Sequence, residues 1–336
     1  MGKGGTGIAT LKDIADAAHV SSATVSRVLN ADTSLQVSAA TRKRIFATAE
    51  ALNYTKHQHK TQTAAGTIGI VQWYSEQEEN NDLYYRAIRW GAETQLQAAD
   101  FAIARYFSND TLADAGNLAG LIAIGKYSES QLNQFKALNR PLVIVDQDTL
   151  DQSISCVTTS FAAPVGKIIA YFRQQGHHRL GMIAGREETT DGQAIDDQRT
   201  VAFEATLRDQ GLLEDAIIAE APFTIEGGYA TMTDLIHQYG DQLPHAFFVA
   251  SDAMAIGAIK ALQEQHIAVP DRVSIVGFND LAVGRFLNPS LSTVKVATQQ
   301  MGINAAKLIQ DQLSGLLTVP TRITLSSELI LRDSSR

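Results

Sequence analysis

TLKDIADAAHVSSATVSRVLNADTSLQVSAATRKRIFATAEALNY, residues 10–54, repeats a helical apolar stripe three times within a short span. Thr10 is a fitting N-cap, and Leu11, Ile14, Ala15 and Ala18 fall on one helix face. After a turn around His19 and Val20, Ser21 caps a second short helix whose Val25, Val28 and Leu29 point inward. Ser22, Ala23, Ser26 and Arg27 then point outward. A third helix opens at Ser38 and is expected to bury Ile45, Ala49 and Leu52. Three such helices, the second bearing small polar residues and one arginine, suit a helix-turn-helix head laid in a DNA major groove. The competing reading is an ordinary helical hairpin of an enzyme.

From Thr67 onward the pattern changes to strict alternation of apolar strands and amphipathic helices. TIGIVQWY (67–74), FAIARYF (101–107), LAGLIAIG (118–125), PLVIVD (141–146) and ISCVTT (154–159) read as strands, with helices between them. A second series, RLGMIAG (179–185), AIIAEAPF (216–223), HAFFVAS (245–251) and RVSIVGF (272–278), is interleaved with helices in the same way. Alternating β and α segments imply parallel sheets covered by helices. Two series in tandem predict an α/β core of two doubly wound lobes, with a ligand at the carboxyl ends of strands and in the cleft between them.

Charge is divided unevenly over the 336 residues. Residues 1–60 hold eight Lys/Arg against four Asp/Glu, a net +4, and the remaining 20 basic and 32 acidic residues give −12. A basic head on an acidic body directs phosphate binding to one end and repels DNA from the other. The one cysteine, Cys156, excludes an intrachain disulfide. No apolar run approaches membrane-spanning length and no signal-peptide core is present, so a cytoplasmic protein without membrane contact is expected. The glycine-rich opening MGKGGTGIA follows no strand and lacks Walker spacing. Residues 1–9 therefore read as a disordered leader, a misassigned start or an expression scar.

The run ATVSRVLN, preceded by TLKDIADAAHVS, resembles the head of LacI/GalR-family transcription repressors, and the similarity extends over essentially the whole chain from Thr10. The segments at 37–54, 247–262 (FFVASDAMAIGAIKAL) and 288–296 (NPSLSTVKV) are most similar to the branch containing repressors of galactose and evolved β-galactosidase operons. This resemblance implies a helix-turn-helix head at 10–54, a hinge linker at 55–66 and a two-lobed core at 67–336 of the periplasmic sugar-binding type. It further implies an N-lobe of about 67–158 and 290–322 and a C-lobe of about 159–289 and 323–336. Many members carry a hinge helix whose leucine wedges into the minor groove; the linker TKHQHKTQTAAG has no proline or leucine and is roughly three residues shorter. Lys56 and Lys60 remain able to contact phosphates.

Ser22, Ala23 and Arg27 are the expected base-contacting residues, the arginine forking onto guanine O6 and N7. A surface ion pair of Arg27 with Glu50 or Asp32 is the alternative. Thr10, Ser21, Thr24, Ser26, Asn30 and Ser38 are placed for phosphate contacts, which fix register without reading sequence. By resemblance, Arg199 in DDQRTVAF is the sugar-clamping arginine. Asn279 in VGFND and Ser251-Asp252 after HAFFVA are further polar anchors, and Phe223 is an aromatic under the sugar ring. Phe161 stands in the loop where relatives often have an aspartate or asparagine, and Trp73 and Tyr74 would line the cleft from the other lobe. With Asn279 replacing a frequent aspartate, the pocket is expected to lose up to two carboxylates. Core packing of Phe223 or Trp73, a turn cap by Asp280, and a structural ion pair of Arg199 with Asp196 or Asp197 are the plain alternatives.

Enzyme readings find little support. His177-His178 lie in a turn with no third ligand at metal spacing, Cys156 reads as a buried strand thiol, and no nucleophile elbow, phosphate loop or dinucleotide fingerprint follows a strand. The sequence thus predicts a non-enzymatic repressor without cofactor or metal. It would bind a pseudo-palindromic operator in double-stranded DNA as a homodimer and be released by a small sugar effector, galactose or a β-galactoside first. The rivals are a catabolite-type regulator needing a phosphosugar or protein corepressor, and a sugar-binding protein without DNA function.

Overall fold

The computed structural model describes residues 11–29, 37–52, 65–76, 83–108, 110 and 115–336. The leader, Thr10, Asn30 and linker residues 55–64 lie outside the described residues. The chain divides into two compact units, Met1–Gln62 and Thr63–Arg336.

The first unit contains α1 (Leu11–Ala18), α2 (Ser22–Leu29) and α3 (Ala39–Ala51). Ile14, Ala15, Ala18, Val25, Val28, Ile45 and Ala49 close its small core. His19 takes a left-handed φ of 54° just past α1, and Val20 N–H returns to the Ala15 carbonyl at 3.0 Å, which turns the chain tightly into α2. Ser21 and Ser38 start α2 and α3 by accepting the backbone N–H of Thr24 and Thr41, each at 3.1 Å. Arg44 donates from Nε to the Ala18 carbonyl at 3.0 Å, so this cation ties α3 to the end of α1. Leu52 departs from expectation: it is exposed, lying beyond the last turn of α3.

The second unit has two lobes. The N-lobe sheet is parallel throughout, in the order β12-β5-β4-β3-β1-β2. Its strands are β1 (Thr67–Gln72), β2 (Ala102–Tyr106), β3 (Gly120–Ile124), β4 (Leu142–Val145), β5 (Ser155–Thr159) and β12 (Arg322–Leu325). Central β3, β4 and β5 are buried at every position, whereas the edges β2 and β12 are partly exposed. That contrast is why the central strands read as unbroken apolar runs. The C-lobe sheet joins β6 (Leu180–Glu188), β8 (Ile217–Pro222), β9 (Ala246–Val249) and β10 (Ser274–Val276) in parallel, and β7 (Ala194–Ile195) folds back antiparallel on the end of β6. β11 (Thr293–Lys295) and β13 (Glu328–Ile330) form a small antiparallel pair at the crossings.

Each lobe is held by a close helix pair. In the N-lobe, α4 (Leu83–Ala98) meets α10 (Thr298–Leu313), and a Cβ on Gly91 would lie 2.1 Å from the Gln299 carbonyl oxygen while one on Gly302 would lie 1.9 Å from that of Ile88. In the C-lobe, α8 (Ile225–Tyr239) meets α9 (Asp252–Glu264) through the same reciprocal device, Gly228 against Met254 and Gly257 against Ile225. Helices α5 (Glu129–Ala137), α6 (Ala162–Gln174) and α7 (Gln198–Asp209) complete the covering layers.

The chain crosses between lobes three times, first between the end of β5 at Thr159 and the start of β6 at Leu180. Ala65 and Gly66 already hydrogen-bond around β2, so the lobe starts inside the presumed linker. The second crossing comes after β11, which bridges to the β10 region, and not at Pro289. The third comes after Leu325, because β12 stays in register with β5 through Thr159.

Candidate functional site

On the first unit, α2 presents Ser22, Ala23 and Arg27 to solvent, with Ser26 half-buried beside them. Ser21 and Thr24 hydroxyls bond each other at 2.8 Å, and Ser38 bonds Thr41 at 2.8 Å, so both caps are already ordered. This is a helix face of small side chains around one long cation, a shape that lets backbone and guanidinium approach a groove together.

On the second unit, a cavity of about 710 Å³ opens between the lobes. Its lining comes from the carboxyl ends of β1, β4 and β5 on one side and of β6, β8, β9 and β10 on the other, as doubly wound sheets dictate. Of the residues expected there, Tyr74, Phe161, Arg199, Phe223, Ser251 and Asn279 line it. Two do not. Trp73 is 6 % exposed and stacks on Tyr85 at 6.0 Å, which places it in the N-lobe core. Asp252 is fully buried behind Ser251, accepting from Leu281 N–H at 2.6 Å and from the Thr293 hydroxyl at 2.5 Å. Burial pushes its carboxyl up to about 7 against those two hydrogen bonds. Its role is to tie the start of α9 to the loop and strand that cross between lobes.

Arg199 stands at the start of α7. Asp197 caps that helix, its Oδ1 accepting Arg199 N–H at 3.0 Å and Nε at 2.7 Å. Nη1 reaches the Ala250 carbonyl at 2.9 Å, and the guanidinium lies 4.6 Å from the Phe223 ring centre, 5.7 Å from Phe278 and 5.8 Å from Phe161. Burial disfavours its charge, but Asp197 and then Glu187 outweigh that and hold it firmly protonated. The structural ion pair and the cavity position are therefore both true of Arg199. Among the described residues Asp197 Oδ2 has no hydrogen-bond partner, and it is buried beneath the cavity surface.

The opposite wall was not foreseen. Asp146, at the end of β4 with a left-handed φ of 77°, accepts from Tyr84 OH at 2.9 Å and Tyr85 OH at 2.8 Å and pairs with Lys126 at 3.0 Å. Glu187, half-buried on β6, is pushed up to about 7 by burial, with Arg199 and Lys126 opposing and Asp146 and Asp197 reinforcing the shift. Near the rim, Asp148 pairs with Arg322. Carboxylates enter the cavity from other positions than 161 and 279: Asp146, Asp148, Asp151, Glu187, Asp196 and Asp197 all line it, against Lys126, Arg199 and Arg322. Asp146 carried a sequence signal in its position, last in the predicted strand PLVIVD, whereas Glu187 lies two residues beyond the predicted strand RLGMIAG. Asn279 and Asp280 take consecutive positive φ values after β10, with Asp280 held by Arg332 at 2.5 Å and Arg285 at 2.8 Å. That pairing, and not a turn cap, explains Asp280.

Elsewhere the reactive side chains are engaged structurally. Cys156 is buried, its thiol pushed up by burial, and His178 and His177 bond Arg173 and the Arg336 carbonyl at 2.8 and 3.0 Å. Among the described residues no helix is long and apolar enough to cross a membrane.

Residues 10–57 match the family of bacterial regulatory proteins of the lacI type, and residues 169–335 match the periplasmic binding protein-like domain. The HTH-type transcriptional regulator GalR of Lacticaseibacillus casei is 41 % identical over 328 residues, spanning 97 % of this chain and 99 % of its own. The chain belongs to the LacI family. The family's GalR from Streptococcus thermophilus is 37 % identical over 332 residues, 98 % of this chain and all of its own. Among solved structures, a transcriptional regulator CelR–cellobiose complex superposes with a TM-score of 0.70 at 25 % identity, over 97 % of this chain and 99 % of that one. The Lac repressor dimer bound to operator and the anti-inducer ONPF gives 0.70 at 21 %, over 98 % and 99 %, and shares the fold. The protein is a helix-turn-helix transcriptional regulator with a two-lobed periplasmic-binding-protein-like core. Its relatives are DNA-binding regulators, not enzymes.

Proposed function

We propose that this regulator is a cytoplasmic repressor of sugar-utilisation genes. It binds its operator as a homodimer and is released by a neutral sugar, galactose or a β-galactoside, held between the lobes. The observation that carries the sugar reading is the wall around Arg199: a guanidinium clamped among three phenylalanine rings and fixed by Asp197. Sugars present that combination in reverse, hydroxyl oxygens around an apolar C–H face. The galactose preference follows the GalR relatives. Exposed Trp90, Val283 and Phe286 offer apolar surface for a second copy.

The charge of the cavity argues against a phosphosugar. Six carboxylates face three cations, and Lys126, Arg199 and Arg322 are each already paired with one of them. A dianionic phosphate would meet a net negative wall.

Titration calorimetry of the full chain with galactose, lactose and galactose 6-phosphate tests this. Galactose or lactose is expected to bind and the phosphate ester to fail, and Arg199→Ala is expected to abolish the sugar heat while operator binding persists. Binding of the phosphate ester alone, or sugar binding unchanged in Arg199→Ala, overturns the reading.

A further inference from the structure

The hairpin between β6 and β7 was invisible as an element in the sequence, where it is a polar run, REETTDGQA. It leaves the C-lobe and reaches the N-lobe at the cleft rim. Ser128 donates its hydroxyl to Asp191 Oδ2 at 2.7 Å, and Gln131 Nε2 donates to the Thr190 hydroxyl at 2.5 Å. Both donors belong to the capping box of α5. Ser128 Oγ accepts Gln131 N–H at 3.2 Å and Gln131 Oε1 accepts Ser128 N–H at 2.9 Å, which turns the remaining Ser128 hydroxyl proton and the Gln131 amide protons outward. The acceptors are equally prepared. Asp191 Oδ1 takes the Thr189 hydroxyl at 2.5 Å, Gln193 N–H bonds Thr189 Oγ1 at 2.9 Å, and Gly192 turns the loop at φ 77°.

We propose that this hairpin is a latch, with Thr190 and Asp191 as positioning residues that hold the lobes closed and set how long the effector stays bound. The proposal rests on the effector reading of the cleft, because Glu187, Ile195, Asp196 and Asp197 at the hairpin's base line that cavity. Closing the rim therefore moves the cavity wall as well. Thr190 and Asp191 are exposed, so water competes for both bonds. Each is weak enough to open in every binding cycle, and the two act together only when the lobes meet.

The test uses the full-length Thr190→Val/Asp191→Ala double variant and the two single variants. Thr190→Val removes an acceptor while keeping the side chain's shape. Stopped-flow release of galactose is expected to be about three- to tenfold faster in each single variant, the size of one net hydrogen bond. The galactose concentration that releases operator should rise with it, while the sugar-free melting temperature stays unchanged. Small-angle scattering of the sugar-free double variant should report a larger radius of gyration than the wild type. A wild type that binds no sugar, with a double variant that still expands, removes the effector reading and leaves the latch. Unchanged release together with unchanged radius removes the latch, as does faster release accompanied by an equal loss of sugar-free stability.

Discussion

Arg27 and Arg199, the two cations proposed to carry recognition, are held differently. Arg199 is immobilised by Asp197, the Ala250 carbonyl and three rings, so it meets a ligand already oriented. Arg27 is exposed on α2 among side chains too small to block it. Removing Arg27 should therefore erase discrimination more than attraction. Arg27→Ala is expected to lose roughly 1–3 kcal/mol of preference for operator over random duplex, with salt-sensitive nonspecific binding retained. Equal losses on both DNAs, measured by anisotropy competition, would exclude a base contact. The sequence placed Arg27 and Arg199 through their local patterns, and it named six of the eight residues it assigned to the cleft that do line it. It missed on Trp73 and Asp252, which adjoin lining residues in the chain but point into the core. It could not find the Lys126–Asp146–Tyr84–Tyr85 cluster, whose members converge from three separate elements.

The helices and strands of the lobes were readable because each buries a continuous or periodic apolar face, a signal contained within one segment. Contacts between segments were not. The hairpin at β7 has no apolar pattern, the end of β12 depends on pairing with β5, and Leu52 lies past a helix end that only tertiary structure sets. The helix pairs make the same point: Gly91 and Gly302 are unremarkable in the sequence, yet the spacing of α4 and α10 requires both. Gly302→Ala would place a methyl 1.9 Å from the Ile88 carbonyl oxygen, backbone that cannot step aside. A loss of at least about 2 kcal/mol is expected, read as a melting temperature lower by several degrees with no change in the DNA-binding face. An unchanged melting temperature would mean that the two helices are not so close.

The molecule as a whole separates two charges and two tasks. The first 60 residues carry +4 and the remainder −12, which directs attraction to DNA phosphate toward the helix-turn-helix unit and suits the proposed uncharged ligand in the cleft. Coupling requires only that the sugar bind the DNA-incompetent arrangement more tightly than the competent one. Fluorescence anisotropy at one fixed salt concentration, with duplex DNA from upstream of the protein's own gene, measures reading and release together. Tight binding that random DNA cannot compete away, and that galactose or lactose reverses, is the expected result. Selective binding that no neutral sugar moves would contradict a sugar-released repressor.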